Sequence, residues 1–186
     1  MALRWSKLAQ MLAGGASVNL PTPYSDTARY GIISGFTPGN EATIAARGRL
    51  FELGSYYLAL TTPDRLWLNV VNSRAAPRQG WYRAYEADVG APTAARSVLS
   101  TGVDPVGQKY EVDQRPYTRA LMVVRTPVSV SSTAYDDATA IPVTLPAGES
   151  WYVLRMDGTV GAPVTQIQLR NSEGAILIRG SQVGLP

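Results

Sequence analysis

The residues best suited to chemistry are two adjacent carboxylates, Asp136 and Asp137. The 186-residue chain has no histidine and no cysteine, so any general base would be a carboxylate or a lysine. Both follow the polar run Ser131–Tyr135, which is more typical of an exposed loop than of an acid–base dyad or a calcium site. Two carboxylates facing each other across a sheet, as in glycoside hydrolases, are left open by the pattern. We expect no catalytic residue, no metal site and no cofactor, and we predict that the chain is not an enzyme.

Aromatic side chains provide the second candidate site. Trp81 and Tyr82 are adjacent, with Tyr85 shortly after them, and Trp151 and Tyr152 form another pair. Exposed aromatic faces bind sugar rings or other proteins. Because successive side chains of a strand point to opposite faces, at least one member of each pair should be buried in the core. Packing is therefore the simpler interpretation, and contact with a partner or a glycan is the functional one.

The composition favours a surface that other proteins cover. The chain has 15 arginines but only two lysines, Lys7 and Lys109, and it has ten tyrosines and four tryptophans. Arginine, tyrosine and tryptophan are enriched at protein interfaces, where lysine is depleted. Codon usage in a GC-rich genome, or adaptation to heat, would produce the same bias. The net charge of +3 is distributed without a basic stripe, so we expect no specific binding of nucleic acid.

The first dozen residues have the spacing of a short amphipathic helix. Apolar side chains recur at i, i+3, i+4 and i+7 from Trp5, and Gly14 and Gly15 then end the helix. Docking on the chain's own domain or on a neighbour is the simpler interpretation, and weak binding to a lipid surface, amplified by many copies, is the alternative. The residues expected to contact a partner or a membrane are Arg4, Trp5, Lys7, Leu8 and Leu12.

The rest of the sequence predicts strands and no further helix. Short segments rich in β-branched, aromatic or alternating residues are separated by turn signals. Thr165, Ile167 and Leu169 alternate with polar residues, which predicts one buried and one polar face. Residues Asp88–Pro105 are expected to form a long loop. The predicted strands are Arg29–Ser34, Thr43–Ala46, Leu50–Leu60, Leu66–Asn72, Trp81–Ala87, Lys109–Asp113, Ala120–Val130, Ile141–Thr144, Ser150–Met156, Val164–Arg170 and Ala175–Arg179.

Many short strands at about ten-residue spacing, without crossover helices, predict an all-β fold. We expect residues 1–20 to form the amphipathic helix and an arm, and residues 21–186 to form a single antiparallel β-sandwich or barrel. Periodicity alone does not separate jelly-roll, immunoglobulin-like and other Greek-key arrangements. The sequence has no internal repeat of fixed period, which argues against propellers and solenoids.

The whole chain resembles a viral coat protein in its N-terminal helix, extended arm, β-rich body and the segment Leu145–Leu154. In its size and its arginine-rich, cysteine-free composition, it is similar to the smaller of the two major capsid proteins of the icosahedral, internal-membrane phages of Thermus. That family has relatives among haloarchaeal viruses. The resemblance includes no diagnostic motif, so it assigns no functional role to any single residue.

The resemblance implies a single jelly-roll domain that associates with itself and with a larger coat protein above an internal viral membrane. It implies a virion protein that is assembled in the host cytoplasm, with the N-terminal helix as the candidate membrane contact. The alternative hypothesis is a non-catalytic binding module, either a phage fibre or receptor-binding domain or a carbohydrate-binding β-sandwich. A ligand that the aromatic residues bind would favour the module, and self-association would favour the coat protein.

The composition also predicts heat stability. The chain has 13 prolines, no cysteine and many more arginines than lysines, features that recur in proteins from thermophiles. We expect thermal unfolding, followed by circular dichroism or calorimetry, to have a midpoint above about 65 °C, which is the upper end of the usual mesophilic range. A midpoint inside the range of about 45 to 65 °C would contradict the prediction.

Overall fold

The computed structural model describes residues 18–21, 50–51, 53–60, 66–69, 83–127, 139–171 and 173–183. Strands dominate these residues, and one short helix, α1, covers residues 50–51 and 53–59. The strands are β1 (Val18–Pro21), β2 (Leu66–Asn69), β3 (Ser97–Val103), β4 (Lys109–Pro116), β5 (Ala120–Pro127), β6 (Ile141–Thr144), β7 (Trp151–Leu154), β8 (Val160–Val164), β9 (Gln166–Leu169) and β10 (Glu173–Arg179). Two 3-10 turns, Arg83–Glu86 and Gly180–Gln182, complete the set.

The main sheet has six antiparallel strands in the order β3-β4-β5-β10-β7-β8, and a second sheet pairs β6 with β9. Three antiparallel pairs are nested in the sequence: β5 with β10, β6 with β9 and β7 with β8. Successive nested pairs alternate between the two sheets, so the second half of the chain is one long hairpin wrapped into two layers. The predicted all-β antiparallel sandwich is confirmed.

Apolar side chains of the two sheets form one core layer between them. Leu121 and Val123 of β5 and Leu177 of β10 pack in the same buried cluster as Val143 of β6 and Leu169 of β9. These five side chains are at most 2% exposed. Strands β6 and β9 alternate buried and exposed residues, because only one face of their sheet is covered. The sandwich therefore has a continuous hydrophobic centre.

The main sheet is also covered on its other face. Met122 and Val124 of β5 point away from the second sheet and pack in a separate cluster with Phe51 and Leu58 of α1. Both faces of β5 are therefore buried, and the sequence of residues 120–124 is an unbroken apolar run. Such runs are typical of strands that are covered on both sides. The domain has three layers: the β6–β9 sheet, the main sheet and α1.

Helix α1 is held to strand β4 at its C-terminal end. The Arg115 guanidinium donates to the carbonyls of Tyr57 at 3.2 Å and Leu58 at 3.3 Å, and also to that of Leu60. The Tyr117 hydroxyl donates to the Tyr57 carbonyl at 2.6 Å. The last carbonyls of a helix have no intrahelical partners and carry the negative end of its dipole, so a cation there is stabilising. These contacts fix α1 on the sheet.

A fully buried ion pair joins the β3–β4 turn to the centre of the sheet. The Arg125 guanidinium donates to Asp104 at 2.6 Å, and both side chains are completely buried. The other Asp104 oxygen accepts hydrogen bonds from the amides of Val106 and Gln108, and Arg125 also donates to the Leu169 carbonyl at 3.0 Å. One guanidinium thereby connects the turn, β5 and the end of β9.

The predicted strand Leu50–Leu60 is wrong, because these residues form α1. Phe51, Gly54, Ser55 and Leu58 are buried at i, i+3, i+4 and i+7, but glycine and serine at two of these positions obscure the helical pattern. The small residue is required there, since a Cβ atom on Gly54 would lie 3.0 Å from the Val124 side chain. The expectation of no helix after residue 15 is therefore also wrong.

Three further sequence predictions differ from the structure. The predicted loop Asp88–Pro105 contains β3, and the predicted strand Trp81–Ala87 includes the 3-10 turn at residues 83–86. Thr165 is exposed and lies between β8 and β9. The predicted alternation is therefore confirmed only for Ile167 and Leu169, which are both buried. Strand β8 was not predicted, because its sequence Val-Gly-Ala-Pro-Val contains glycine and proline.

Several predictions concern residues outside the described ranges. They include the N-terminal helix and the strands Arg29–Ser34 and Thr43–Ala46. Residues 18–20, expected in the arm, belong to β1, which pairs in parallel with β2 from Val18 opposite Leu66. No helix among the described residues is long and apolar enough to cross a membrane.

We expect Asp104→Ala to destabilise the protein strongly. The substitution leaves the Arg125 charge buried without its partner, which typically costs about 3 to 5 kcal/mol of unfolding free energy. The matched control is Asp88→Ala, which removes a carboxylate from an exposed pair with Arg119 and should cost less than about 1 kcal/mol. Urea unfolding of both variants measures the difference, and equal losses would show that the buried pair has no special role.

Candidate functional site

Strand β3 is an open edge of the main sheet. It pairs with β4 on one side, and no strand among the described residues pairs with its other side. Its seven residues, Ser-Val-Leu-Ser-Thr-Gly-Val, include no charge and no proline. Val98 is 48% exposed and Val103 is 60% exposed, and Val106 in the following turn is 53% exposed. An uncharged edge with exposed β-branched side chains is suited to pairing with another strand.

The other edges are less suited to strand pairing. Strand β8, at the opposite end of the main sheet, contains Pro163, and β6 contains Pro142; proline has no backbone donor. Strand β9 presents Gln166 and Gln168 to solvent, and the carbonyl of Leu169 at its end accepts a hydrogen bond from the buried Arg125. Strand β3 is also longer than β6, β8 or β9. Among the edges of the main sheet and the β6–β9 sheet, it is the most accessible template for a further strand.

A bulge limits the regular part of this edge. Val98 lies opposite Asp113 and Ser100 lies opposite Val112, so Leu99 has no single partner in the ladder. Regular pairing with β4 resumes at Ser100 and continues to Val103. The segment 100–103 is therefore the part of β3 with ladder geometry, and the bulge separates it from Val98.

Tyr110 covers Gly102, the glycine within this regular segment. A Cβ atom on Gly102 would lie 2.6 Å from the hydroxyl oxygen of Tyr110, so no larger residue fits beneath the ring. The Tyr110 ring is itself stacked below the buried guanidinium of Arg125 at 5.2 Å. Glycine weakens a strand, but an aromatic neighbour that covers it restores packing.

A buried acid lies behind the edge. Asp113 of β4 is completely buried and forms an ion pair with Arg96, which also lies 3.9 Å from Glu111. Burial raises the pKa of Asp113 to about 6, and the charge of Arg96 partly opposes that shift while Glu111 adds to it. A carboxyl that titrates near neutrality thus lies one strand away from the exposed edge.

A cleft of about 600 Å³ lies at the opposite end of the main sheet, near β8. Leu154, Val160 and Ile178 supply its apolar surface. Asp88 and Arg119, joined by an exposed ion pair of 2.6 Å, form part of its polar rim. The other lining residues are Arg83, Glu86, Ala87, Asp157, Gly158, Thr159, Gln182 and Val183. Its size is that of a small-molecule site, although its charges are mixed.

The structure separates the aromatic candidates that it describes. Trp151 is 2% exposed in the core between the two sheets, and its indole N–H donates to the Pro146 carbonyl at 3.0 Å. Tyr152 is half-buried, and the half-buried Tyr85 packs against the core layer on the α1 side of the sheet. The expectation that at least one residue of the second pair is buried is confirmed. Trp151 and Tyr85 do not form a common platform.

The remaining candidate residues lie outside the described ranges. They are Trp81 and Tyr82 of the first aromatic pair, Asp136 and Asp137, and the N-terminal residues Arg4, Trp5, Lys7, Leu8 and Leu12. Their predicted roles stay predictions. Within the described part of the chain, no three acidic side chains come together to form a metal site.

Two main features of this region, strand β3 and the burial of Asp113, were not predicted from the sequence. Strand β3 was assigned to a loop because Pro92, Gly102 and Pro105 bracket or interrupt a short alternating segment. Asp113 was included in a predicted strand, but its burial was not expected, because a charged residue is seldom fully buried unless it has a partner.

Comparisons with protein-family models, with curated proteins and with solved structures give no match to this chain.

The buried carboxyl predicts an unusual pH dependence. Folded Asp113 has a pKa of about 6, above its ordinary value of 3.8, so it binds its proton more tightly when folded. The protonated Asp113 carboxyl therefore stabilises the folded state below about pH 4, and this stabilisation is lost as the pH rises through 6. The total loss of unfolding free energy is up to about 3 kcal/mol.

Asp113→Asn should remove this contribution. We expect the difference in unfolding free energy between variant and wild type to change in favour of the variant from pH 4 to pH 7, measured by urea unfolding. Asp88→Asn, at an exposed aspartate, is the control for a general effect of losing a carboxylate. If wild type and Asp113→Asn had parallel pH profiles, the assignment would be wrong.

Proposed function

We propose that this protein is a structural subunit of a viral coat, which associates with copies of itself and with a second, larger coat protein in an icosahedral shell. It acts through shape and contact surfaces and not through catalysis. Under this proposal the protein resides in the virion and is assembled in the host cytoplasm. The N-terminal residues 1–20 contribute a contact with a partner or with an internal membrane.

The observation that carries the proposal is the nested strand pairing of the second half of the chain. The pairs β5–β10 and β7–β8 lie in one sheet, and the intervening pair β6–β9 lies in the other. Alternation of nested pairs between two sheets is the winding of a jelly roll, which is common in capsid and lectin domains. The present chain has three such pairs among its described residues, with β3 and β4 added beside β5.

Two further observations support a role in assembly. The central strands β5 and β10 are covered on both faces. Close packing on both sides gives a rigid domain that keeps its shape when neighbouring subunits contact it. The open edge β3 presents unused backbone donors and acceptors beside exposed valines. A fold alone does not determine a function, so these surface features carry more weight than the winding for the question of association.

The cleft near β8 favours a second candidate function, a non-catalytic binding module. Its volume of about 600 Å³ and its apolar surface with a charged rim resemble those of sites for small ligands. Arg83 is an exposed cation on this rim. A module of this kind would need a soluble ligand and would not need self-association.

Light scattering coupled to size-exclusion chromatography tests the coat proposal. We expect the full chain to form dimers or larger species in a concentration-dependent manner, because a shell subunit must have complementary surfaces. A glycan array with the same preparation tests the module. A strict monomer at all concentrations, combined with glycan binding that Arg83→Ala abolishes without unfolding the protein, would replace the coat proposal with the binding module.

A further inference from the structure

We propose that strand β3 is the surface through which two copies of this chain join, paired edge to edge and antiparallel across a twofold axis. This inference rests on the proposed function and names the partner at one of its surfaces: a second copy of the same chain. The pairing would join the two main sheets into one continuous twelve-stranded sheet, since each copy contributes six strands.

The backbone of β3 is open to pairing with a further strand. The outer side of a strand presents a row of N–H and C=O groups that only another extended segment satisfies in series. Among the described residues, none fills this role along Ser97–Val103. The exposed side chains are valine, serine and threonine, and β-branched residues are favoured in cross-strand pairs.

The same strand is suited to meet itself. When a strand pairs with its own copy, a charge near the twofold axis lies close to the same charge of the other copy, which is destabilising. Strand β3 has no charge at any of its seven positions, so self-pairing meets no such repulsion. A twofold contact also needs only one surface on each subunit, because that surface is used twice.

The bulge determines the register. Directly opposed residues of an antiparallel pair lie on the same face of the sheet, so a twofold axis must pass beside a residue that opposes its own copy. An axis at Thr101 would place Val103 opposite Leu99, which is the bulged residue of the other copy. An axis at Gly102 places Thr101 opposite Val103 and leaves both bulges outside the paired segment.

The Gly102 register also fits the packing on the two faces. Thr101 and Val103 lie opposite Glu111 and Lys109 of β4, on the α1 side of the sheet, and both are exposed. Pairing would cover Val103 with a β-branched residue of the other copy. On the other face, the two central glycines would meet beneath the two Tyr110 rings, where the absence of side chains lets the strands approach.

Val103→Lys is the direct test. A lysine at this position places a charge on the paired segment. The charge disfavours pairing with the β3 edge of the other copy, as lysine does on protected edge strands in other proteins. We expect the dissociation constant for self-association, measured by analytical ultracentrifugation, to rise at least about tenfold. The matched control is Ala162→Lys, which adds the same charge at an exposed residue of β8, the strand at the opposite edge of the main sheet. Its association constant should equal that of wild type.

Cross-linking tests the register. Because the chain has no cysteine, a single introduced thiol is unique. A mixture of Thr101→Cys and Val103→Cys chains should form covalent heterodimers with a short bismaleimide, whereas a mixture of Thr101→Cys and Ala162→Cys, on the opposite edge strand β8, should not. Preferential linkage of residues 101 and 162 would mean head-to-tail pairing and would overturn the twofold arrangement.

The outcomes separate this inference from the broader proposal. If the wild-type chain associates and Val103→Lys associates equally well, β3 is not the contact, although the coat proposal survives. If the wild-type chain stays monomeric at every concentration, both fail. If association is lost in Val103→Lys and in Ala162→Lys alike, the loss does not depend on β3 pairing with its own copy and the inference about β3 is wrong.

Discussion

The rest of the structure depends on the burial of strands β5 and β10 on both faces. Their residues alternate between two core layers, one shared with the β6–β9 sheet and one shared with α1. Because every side chain in the middle of these strands is apolar and buried, neither face can be left open without exposing a large hydrophobic area. The helix and the small sheet are therefore both obligatory, and polar residues are confined to strands other than the middle of β5 and β10.

Three arginines stabilise the margins of these layers. Each places its guanidinium near an aromatic ring: Arg115 near Tyr117 at 5.6 Å, Arg125 near Tyr110 at 5.2 Å and Arg179 near Trp151 at 5.1 Å. Each also donates to backbone carbonyls, as Arg115 does at the end of α1. A lysine could not satisfy several carbonyls in a plane and stack at the same time. The excess of arginine over lysine therefore has an internal cause at these three positions, in addition to any role at the surface.

The sequence predicts the class of fold better than it predicts individual elements. Alternation in β9 was recognised because this strand is covered on one face only, which is where a period of two is expected. Helix α1 was missed because its buried face includes Gly54 and Ser55, and the reason for the glycine is its distance from Val124 in a strand far along the chain. A contact of that kind leaves no local signal. Strand β3 was missed because it is an edge strand with no fully buried residue, so its sequence has only a weak alternation of apolar and polar residues.

The difference between core strands and edge strands also explains why β3, the candidate contact, was the hardest feature to predict. A core strand is specified by many neighbours, so its sequence is constrained and recognisable. Strand β3 is specified mainly by β4, because no other strand among the described residues pairs with its outer side. Between this edge and the doubly buried centre lies β4, whose side chains on the α1 face are Glu111, Asp113 and Arg115.

These charged residues form a polar margin where the apolar layer beneath α1 ends. Asp113 and Arg115 are satisfied within the chain, by Arg96 and by the end of α1. A partner strand beside β3 would therefore add to the sheet without entering either hydrophobic layer. Under the proposed pairing, stability and association would be carried by different residues, which is the separation that a subunit needs if it must fold before it assembles.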